Sequence, residues 1–328
     1  MRLSSWGTLR SPIAYLFVLP ALLIFLVFSI GPTAYTFALS LFKWNKFNPA
    51  MSQFIGLENY KTVFTGAGTP SFWSTLGVSF YFVAGMVIGG TAIGLALALL
   101  LARGGRALAS ARTMVFLPHV TPIVATSLVW VWIFNPQFGL ANLVVHATGH
   151  KNIDWLGDSN WAMPAVLIYS LWHELGFVTV VFLGGLTTIS TELAEAAKLD
   201  GANGWQEFWH VTFPQLRPVV TLVLLIESVG SLQAFTQFFV LTRGGPGYTT
   251  ATLGFQLYQQ AFVFSNTGYA AALAVVLFLV TAALSILQLR LQGGAAEPRS
   301  LTRSLSRSRP RSQPRTKPRT QSLRKANP

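Results

Sequence analysis

The sequence predicts an all-α integral membrane protein with six transmembrane helices, both termini in the cytoplasm, and a cytoplasmic loop of two short helices joined by a glycine. Three observations predict this class. Of the 328 residues, 52% are hydrophobic and only 10% are charged, whereas soluble domains carry about 25% charged residues. Six apolar runs each approach the roughly 20 residues that cross a bilayer as a helix. A polar island, Ser190 to Pro218, lies between two of these runs.

The first apolar run extends from Pro12 to about Leu41. It is longer than the apolar core of a cleaved signal peptide, which has roughly 7–15 residues, and it lacks a clear small-x-small site, so a first span is favoured. The six-span domain is expected to occupy residues 12–291. Its other spans are predicted at Leu76–Leu101, Thr113–Phe134, Trp161–Leu186, Val219 to about Leu241, and about Tyr269 to Leu291.

Two spans carry internal signals. The second has small residues at mostly four-residue spacing, among them Gly85 and Gly94, and this pattern is typical of closely packed helices. The third contains Pro118 and Pro122, which should bend it and free backbone carbonyls. Such a bend is most often structural, and a gate is the alternative.

The distribution of Lys and Arg predicts the orientation. The short loop between the second and third runs carries Arg103, Arg106 and Arg112, and such loops stay in the cytoplasm. Residues 1–11 and the polar island then lie on that side too. Residues 292–328 form a basic tail rich in Ser, Arg and Pro. We expect this tail to be cytoplasmic and disordered because it has too few apolar residues to bury a core. Its charge favours contact with membrane lipids, and no nucleic-acid partner is expected.

The polar island resolves into two short helices. Ser190 can cap the first helix, and Gly201 can adopt the left-handed conformation that ends it. Asn203 can cap the second helix, with Gln206 completing a capping box, and Pro214 is expected to stop it. An amphipathic helix–Gly–helix loop of this kind suits docking on another protein. The alternative is an ordinary connecting loop that folds on itself.

Polar and ionisable side chains occur inside the predicted fourth and fifth spans, where burial in hydrocarbon is costly. Aromatic rings with scattered carboxylates and amides suit sugars, whose C–H faces stack and whose hydroxyls need donors and acceptors. Hydrogen bonding between helices is the alternative for any single residue. As a group we interpret them as the lining of a substrate pathway: Tyr169, Trp172, His173, Glu174, Glu227, Ser231, Phe235 and Gln237.

The polar island also resembles the EAA loop of ABC importer permeases, which docks on the ATPase subunit. The matching residues are Glu195, Ala196, Ala197, Asp200, Gly201, Ala202, Phe208 and Pro214. Three external segments resemble those of the sugar-permease branch (the maltose and glycerol-3-phosphate type): Phe54–Tyr60, Asn135–Asn142 and Thr242–Pro246. Two positions depart from the family pattern, since Thr236 stands where Asp is frequent and Val78-Ser79 where an Asn-Thr pair is frequent.

The resemblance implies a transport subunit of the bacterial cytoplasmic (inner) membrane. Its implied partners are a second homologous permease, two ATPase subunits that hold ATP and Mg²⁺, and an extracytoplasmic binding protein that delivers a sugar. Substrate alternatives are glycerol 3-phosphate or a related phosphorylated polyol. A phosphate should want Arg or Lys in the pathway, and the spans have essentially none. An ion-coupled or channel-type transporter without an ATPase is the rival class.

The sequence lacks the motifs of several enzyme and nucleotide-binding classes. No Gly-x-x-x-x-Gly-Lys-Ser/Thr loop occurs, so the chain has no phosphate cradle for ATP and no cofactor is expected on it. His173-Glu174 begins like a zinc-protease helix, but Phe177 stands where the second His is required, and no metal is expected there. No Gly-x-Ser-x-Gly elbow occurs. We therefore expect no enzymatic activity from this chain.

Overall fold

The computed structural model describes residues 12–46, 48–102 and 105–293. The predictions for residues 1–11 and for the tail beyond residue 293 fall outside these ranges. Helices dominate the described residues. They are α1 Pro12–Phe25, α2 Gly31–Leu39, α3 Glu58–Thr65, α4 Phe72–Leu101, α5 Arg106–Val120, α6 Ile123–Ile133, α7 Leu140–Ala147, α8 Ala162–Thr187, α9 Thr191–Leu199, α10 Gly204–Glu207, α11 Phe213–Leu232, α12 Thr236–Leu241, α13 Leu253–Tyr258 and α14 Thr267–Gly293.

The first span is continuous, because a π-helical turn, Leu26–Ile30, joins α1 to α2. Its apolar side chains are exposed along most of its length, as Phe17 at 81% and Phe28 at 75% illustrate. A two-residue hairpin follows, in which β1 (Phe42–Lys43) pairs antiparallel with β2 (Gln53–Phe54). The exposed face of this span is available to lipid or to another protein chain.

The hairpin is fastened by the segment that resembles the sugar-permease pattern. Asn59 Nδ2 donates to the backbone carbonyls of Ser40, at 2.8 Å, and Phe42, at 3.0 Å. The Tyr60 hydroxyl lies 2.6 Å from Ser40 Oγ. These bonds satisfy carbonyls at the end of the first span, where an unpaired buried carbonyl would be costly.

The second and fourth spans, α4 and α8, pack closely, as the spacing of small residues predicts. A Cβ atom at Gly85 would lie 2.6 Å from Leu167 Cδ2, and one at Gly94 would lie 2.5 Å from Val178 Cγ1. Larger side chains would therefore separate the helices. Phe82 of α4 also contacts Phe238 of α12, with ring centroids 4.8 Å apart, so the core lies among these elements.

The third span, predicted for Thr113–Phe134 with a bend at its prolines, is bent more sharply than a kinked helix. It consists of α5 and α6, whose axes bend by 99° at a short break. Pro122 has no N–H group and disfavours the helical conformation of the residue before it, and Thr121 is extended, with φ −79° and ψ 145°. Pro122 therefore produces a sharp break, whereas Pro118 lies inside α5.

The fifth span also differs from the prediction. Helical structure runs without interruption from Gly204 to Leu232, so Pro214 does not stop the second loop helix. A π-helical turn, Phe208–Thr212, precedes it and relaxes the hydrogen-bonding pattern that a proline would otherwise break. The span ends at Leu232 instead of about Leu241, and α12 is a separate short helix.

The sixth span, α14, is confirmed at nearly its predicted bounds. Among the described residues, five helices are long and apolar enough to cross a membrane, and the α5–α6 pair brings the number to six if it counts as one span. The all-α membrane architecture is therefore confirmed, with five unbroken candidate spans and one bent pair among the described residues.

Candidate functional site

A cavity of about 610 Å³ lies where the third and fifth spans break. It receives side chains from α4, α5, α6, α8, α11 and the segment after α11. The lining residues are Phe82, Met86, His119, Ile123, Tyr169, Ser170, His173, Glu174, Phe177, Ile226, Glu227, Gly230, Ser231, Gln233, Ala234, Phe235, Thr236 and Gln237. Among the described residues, no Lys or Arg lines it. Seven of the eight residues predicted for the pathway therefore meet at one cavity, although they come from α8, from α11 and from the segment after α11.

Trp172 is the predicted pathway residue that does not line the cavity. It lies on the other side of α8, 38% exposed, and its ring centroid is 5.3 Å from that of Trp130. Neighbouring residues on a helix point about 100° apart, so Trp172 leaves the cavity face that carries His173. The sequence alone did not show which face of the helix lines the cavity.

An imidazole–carboxylate cluster forms one wall of the cavity. Glu174 Oε1 lies 3.2 Å from His173 Nδ1, and Glu174 Oε2 lies 3.1 Å from His119 Nδ1. The second contact lacks hydrogen-bond alignment, so His119 Nδ1 is buried without a hydrogen-bond partner among the described residues. His173 Nε2 lies 3.3 Å from the Thr121 carbonyl, which the break in the third span leaves free.

Glu227 enters the cavity from α11 and is 5% exposed. Its Oε2 atom has no hydrogen-bond partner in the described part of the chain. Gly90 of α4 leaves the space that this carboxylate occupies, because a Cβ atom at residue 90 would lie 3.1 Å from Glu227 Oε2. The cavity thus holds a carboxylate whose partner is not supplied by the surrounding helices.

The Tyr169 hydroxyl forms hydrogen bonds with α6 and does not face the open part of the cavity. Its hydroxyl lies 2.9 Å from Ser127 Oγ, 2.9 Å from Thr126 Oγ1 and 3.0 Å from the Ile123 carbonyl. The residue is fully buried. These bonds fasten the half-helix after the bend to α8, so Tyr169 shapes the cavity wall through its ring.

The segment after Leu232 supplies the aromatic and amide part of the lining. Phe235 stacks near Tyr258, with centroids 4.7 Å apart, and near Phe239, at 5.5 Å. Ser231 and Gln237 are both buried. Because the helix ends at Leu232, the residues on both sides of the break face one space.

His119 and Ser170 are lining residues that the sequence analysis missed. His119 sits in the last turn of α5, directly after Pro118, and a polar residue next to a proline inside an apolar run was the available signal. Ser170 gave no signal, because a single serine in a span is common.

The polar island forms the helix–Gly–helix loop that its sequence predicts. Gly201 has φ +84°, its N–H bonds the Lys198 carbonyl, and the Ala202 N–H bonds the Ala197 carbonyl. This pair of bonds is the Schellman arrangement that ends a helix. Asn203 and Gln206 form the predicted capping box. Ser190 occupies the N-cap position of α9, but its side chain makes no capping hydrogen bond.

The loop exposes large apolar side chains, with Leu199 at 89%, Trp205 at 71% and Leu193 at 51%. A groove of about 370 Å³ lies between its two arms and is lined by Ala197, Asp200, Gly201, Ala202, Gln206, Glu207, His210 and Val211. Glu195 and Ala196 are exposed on α9. Phe208 packs against Trp209, and Phe208 and Pro214 both lie in the helical run that follows. Exposed apolar surface of this kind marks an interaction site.

A bundle of membrane-spanning helices with an internal polar cavity is the architecture expected of a membrane transport subunit. Residues 90–295 match the family described as binding-protein-dependent transport system inner membrane component, and the chain belongs to this family. It is a multi-pass inner-membrane permease subunit of an ABC transporter and not an enzyme. The family resemblance and the inner-membrane location predicted from the sequence are confirmed.

Similar proteins span nearly the same length. The probable ABC transporter permease YurN of Bacillus subtilis is 35% identical over 284 residues, covering 85% of this chain and 95% of its own. The trehalose/maltose transport system permease MalF of Thermococcus litoralis is 31% identical over 283 residues, covering 86% and 94%. A bacterial ABC transporter that imports alginate has the same fold, with a TM-score of 0.75 at 21% identity, over 87% of this chain and 96% of that one.

Proposed function

We propose that this chain is one of two permease subunits of an ABC importer and that it moves a neutral sugar or sugar-like solute through the cavity. The observation that carries this proposal is the convergence of seven predicted pathway residues on one space of about 610 Å³. That volume lies in the range of small-molecule sites, roughly 300–1,000 Å³. Its lining combines aromatic rings with carboxylate, amide and hydroxyl groups, which together suit polyhydroxylated ligands.

Relatives support the sugar class. One is named for trehalose and maltose, another from Thermoanaerobacterium thermosulfurigenes for starch degradation products, and a third from Agrobacterium fabrum for sulfoquinovosyl glycerol. Within this class, the charge of the cavity favours a neutral solute. Its lining includes Glu174 and Glu227 and no Lys or Arg, so a glycerol phosphate or related phosphorylated polyol would meet repulsion instead of the cations that bind phosphate.

The helix–Gly–helix loop is proposed to couple transport to ATP hydrolysis on two separate ATPase subunits, which hold ATP and Mg²⁺. The contact residues would be those of the EAA pattern: Glu195, Ala196, Ala197, Asp200, Gly201, Ala202, Phe208 and Pro214. The exposed apolar side chains and the groove between the arms support this role, because a docking partner would cover them. This arrangement requires the loop and both termini to be cytoplasmic.

The remaining partners would occupy the other exposed surfaces. An extracytoplasmic binding protein would deliver the solute near Asn135 and Gly244, on the side opposite the coupling loop. A second homologous permease would complete the pathway. The first span, with its exposed apolar face, would contact that permease or lipid.

The test is purification of the tagged full chain in mild detergent, followed by reconstitution with whatever co-purifies. We expect an ATPase and a second six-span chain, and ATPase activity that rises when a binding protein and one neutral sugar are added. Glycerol 3-phosphate is the matched anionic control and should give no stimulation. A chain that purifies alone and still moves solute in liposomes without ATP would instead establish an ion-coupled or channel-type transporter.

A further inference from the structure

We propose that His119, His173 and Glu174 form a site for one divalent transition-metal ion of the Zn²⁺ type. The three residues come from two helices, α5 and α8, which the break in the third span brings together. One ligand atom from each residue lies within 4.8 Å of the other two. Two imidazoles and a carboxylate are ligands that suit Zn²⁺, with a fourth position left for water or another small ligand.

The three ligand atoms lie within 4.8 Å of one another, and an ion would draw them closer together. Metal–nitrogen and metal–oxygen bonds of about 2.0–2.2 Å place neighbouring ligand atoms about 3.3 Å apart. Glu174 lies 3.1 Å from His119 and 3.2 Å from His173, measured between the carboxylate oxygens and the Nδ1 atoms. The two histidines approach different oxygens of the same carboxylate, so binding one ion would require the carboxylate and the imidazoles to turn toward it.

The hydrogen bond of His173 fixes the orientation of its ring. Nε2 lies 3.3 Å from the Thr121 carbonyl, which can only accept, so Nε2 carries a proton. Nδ1 then faces the cluster, 3.2 Å from Glu174 Oε1. The bond from Nε2 to a backbone carbonyl is also the arrangement that orients metal-binding histidines.

The environment of His119 and the charge of the cavity also support a cation site. His119 Nδ1 is buried without a hydrogen-bond partner among the described residues, although it lies at contact distance from Glu174. The ring is fixed by stacking on Phe177, with centroids 5.0 Å apart. The cavity lining carries two carboxylates, Glu174 and Glu227, and no Lys or Arg. One divalent ion would neutralise that charge.

The sequence predicted no metal because only ligands within one helix were compared with the zinc-protease pattern. In that pattern, Phe177 stands at the position of the second histidine. The fold supplies that histidine from α5 instead. A bound ion would join the end of α5 to α8 at the bend, and its open position would face the cavity. This inference concerns binding by the chain itself and does not depend on the identity of the transported solute.

The chain suits a direct test, since it has no cysteine and five histidines. The full chain, purified with an affinity tag other than polyhistidine, is loaded with Zn²⁺ or with Co²⁺ as a coloured substitute and dialysed. We expect one ion per chain, visible absorption from Co²⁺ bound to nitrogen and oxygen, and a raised thermal unfolding midpoint. Glu174→Gln and His119→Gln should each weaken binding at least about tenfold.

The matched control is His146→Gln combined with His150→Gln, because both histidines are exposed on or after α7. This variant should keep full binding. Gel filtration of the metal-free proteins shows whether each variant folds, and His119→Gln serves if Glu174→Gln does not. A wild-type chain that retains no ion after dialysis would overturn the proposal, and so would binding that is lost in the control but kept in the cluster variants.

Discussion

Gly90 and Glu227 face each other across the packed helices α4 and α11. The glycine has no side chain, and a Cβ atom there would lie 3.1 Å from Glu227 Oε2. That oxygen has no hydrogen-bond partner among the described residues. The space that Gly90 leaves is therefore what allows a buried carboxylate to reach the cavity.

Gly90→Ala is expected to lower solute uptake by about threefold or more, because overpacking costs roughly 1–3 kcal/mol and displaces the carboxylate. Glu227→Ala should also weaken uptake without loss of assembly, and it should relieve the crowding in the double variant. The measurement is uptake rate in reconstituted vesicles. Gly77→Ala is the matched control on α4, since its added Cβ meets no atom within 4 Å. Unchanged uptake in Glu227→Ala would show that this residue has only a structural role.

Gly201→Asp is expected to abolish uptake and uncouple ATP hydrolysis while the protein still inserts. Residue 201 has φ +84°, which costs roughly 1–2 kcal/mol for a residue with a Cβ atom, and the new charge adds to that of Asp200. Uptake and ATPase activity are measured on the same reconstituted complex. Gly204→Ala, which meets open space without a positive φ, should couple normally. Normal transport by Gly201→Asp would remove the coupling role.

Asn203→Ala tests the second arm of the loop. It removes the bond from the Gln206 N–H to Asn203 Oδ1, 2.9 Å long, and loss of such a cap costs about 1 kcal/mol. We expect several-fold weaker retention of the ATPase subunit during co-purification. Asn203→Asp keeps an acceptor at the cap and should restore retention. Equal retention by all three proteins would mean that the fold of this arm does not govern docking.

Tyr169→Phe is expected to lower the thermal unfolding midpoint by a few degrees and to leave the KM for uptake unchanged. The change removes a hydroxyl bonded to Ser127, Thr126 and Ile123, and a hydrogen bond within a protein contributes about 0.5–1.5 kcal/mol to stability. Tyr81→Phe, at a residue 56% exposed, is the control. A raised KM at an unchanged midpoint would instead assign the hydroxyl to solute binding.

Local features were predictable because their causes lie within a few residues. The capping box at Asn203, the left-handed Gly201 and the close packing at Gly85 all follow from residue type and spacing. The first, second, fourth and sixth spans follow from apolar length. Hydropathy measures how favourably a segment leaves water and carries no information on the direction of its backbone. It therefore could not predict the angle between α5 and α6, which form one apolar run in the sequence.

The break after Leu232 had only a weak signal, the Gly230-Ser231 pair just before it. Beyond the break, the hydroxyl of Thr252 donates to the Ala234 carbonyl at 3.3 Å, a contact that the sequence does not reveal. The grouping of His119 with Glu174 was equally hidden, because 55 residues separate them in the sequence. Such pairings depend on how the helices cross.

The helical run from Gly204 to Leu232 connects the helix–Gly–helix loop directly to the cavity. Trp205 and Glu227 are 22 positions apart on it, which at 1.5 Å per residue is about 33 Å. One end carries the exposed indole of the loop, and the other carries the buried carboxylate. A single backbone therefore connects the loop to the cavity, and the π-helical turn at Phe208–Thr212 is the point along it where a bend would occur.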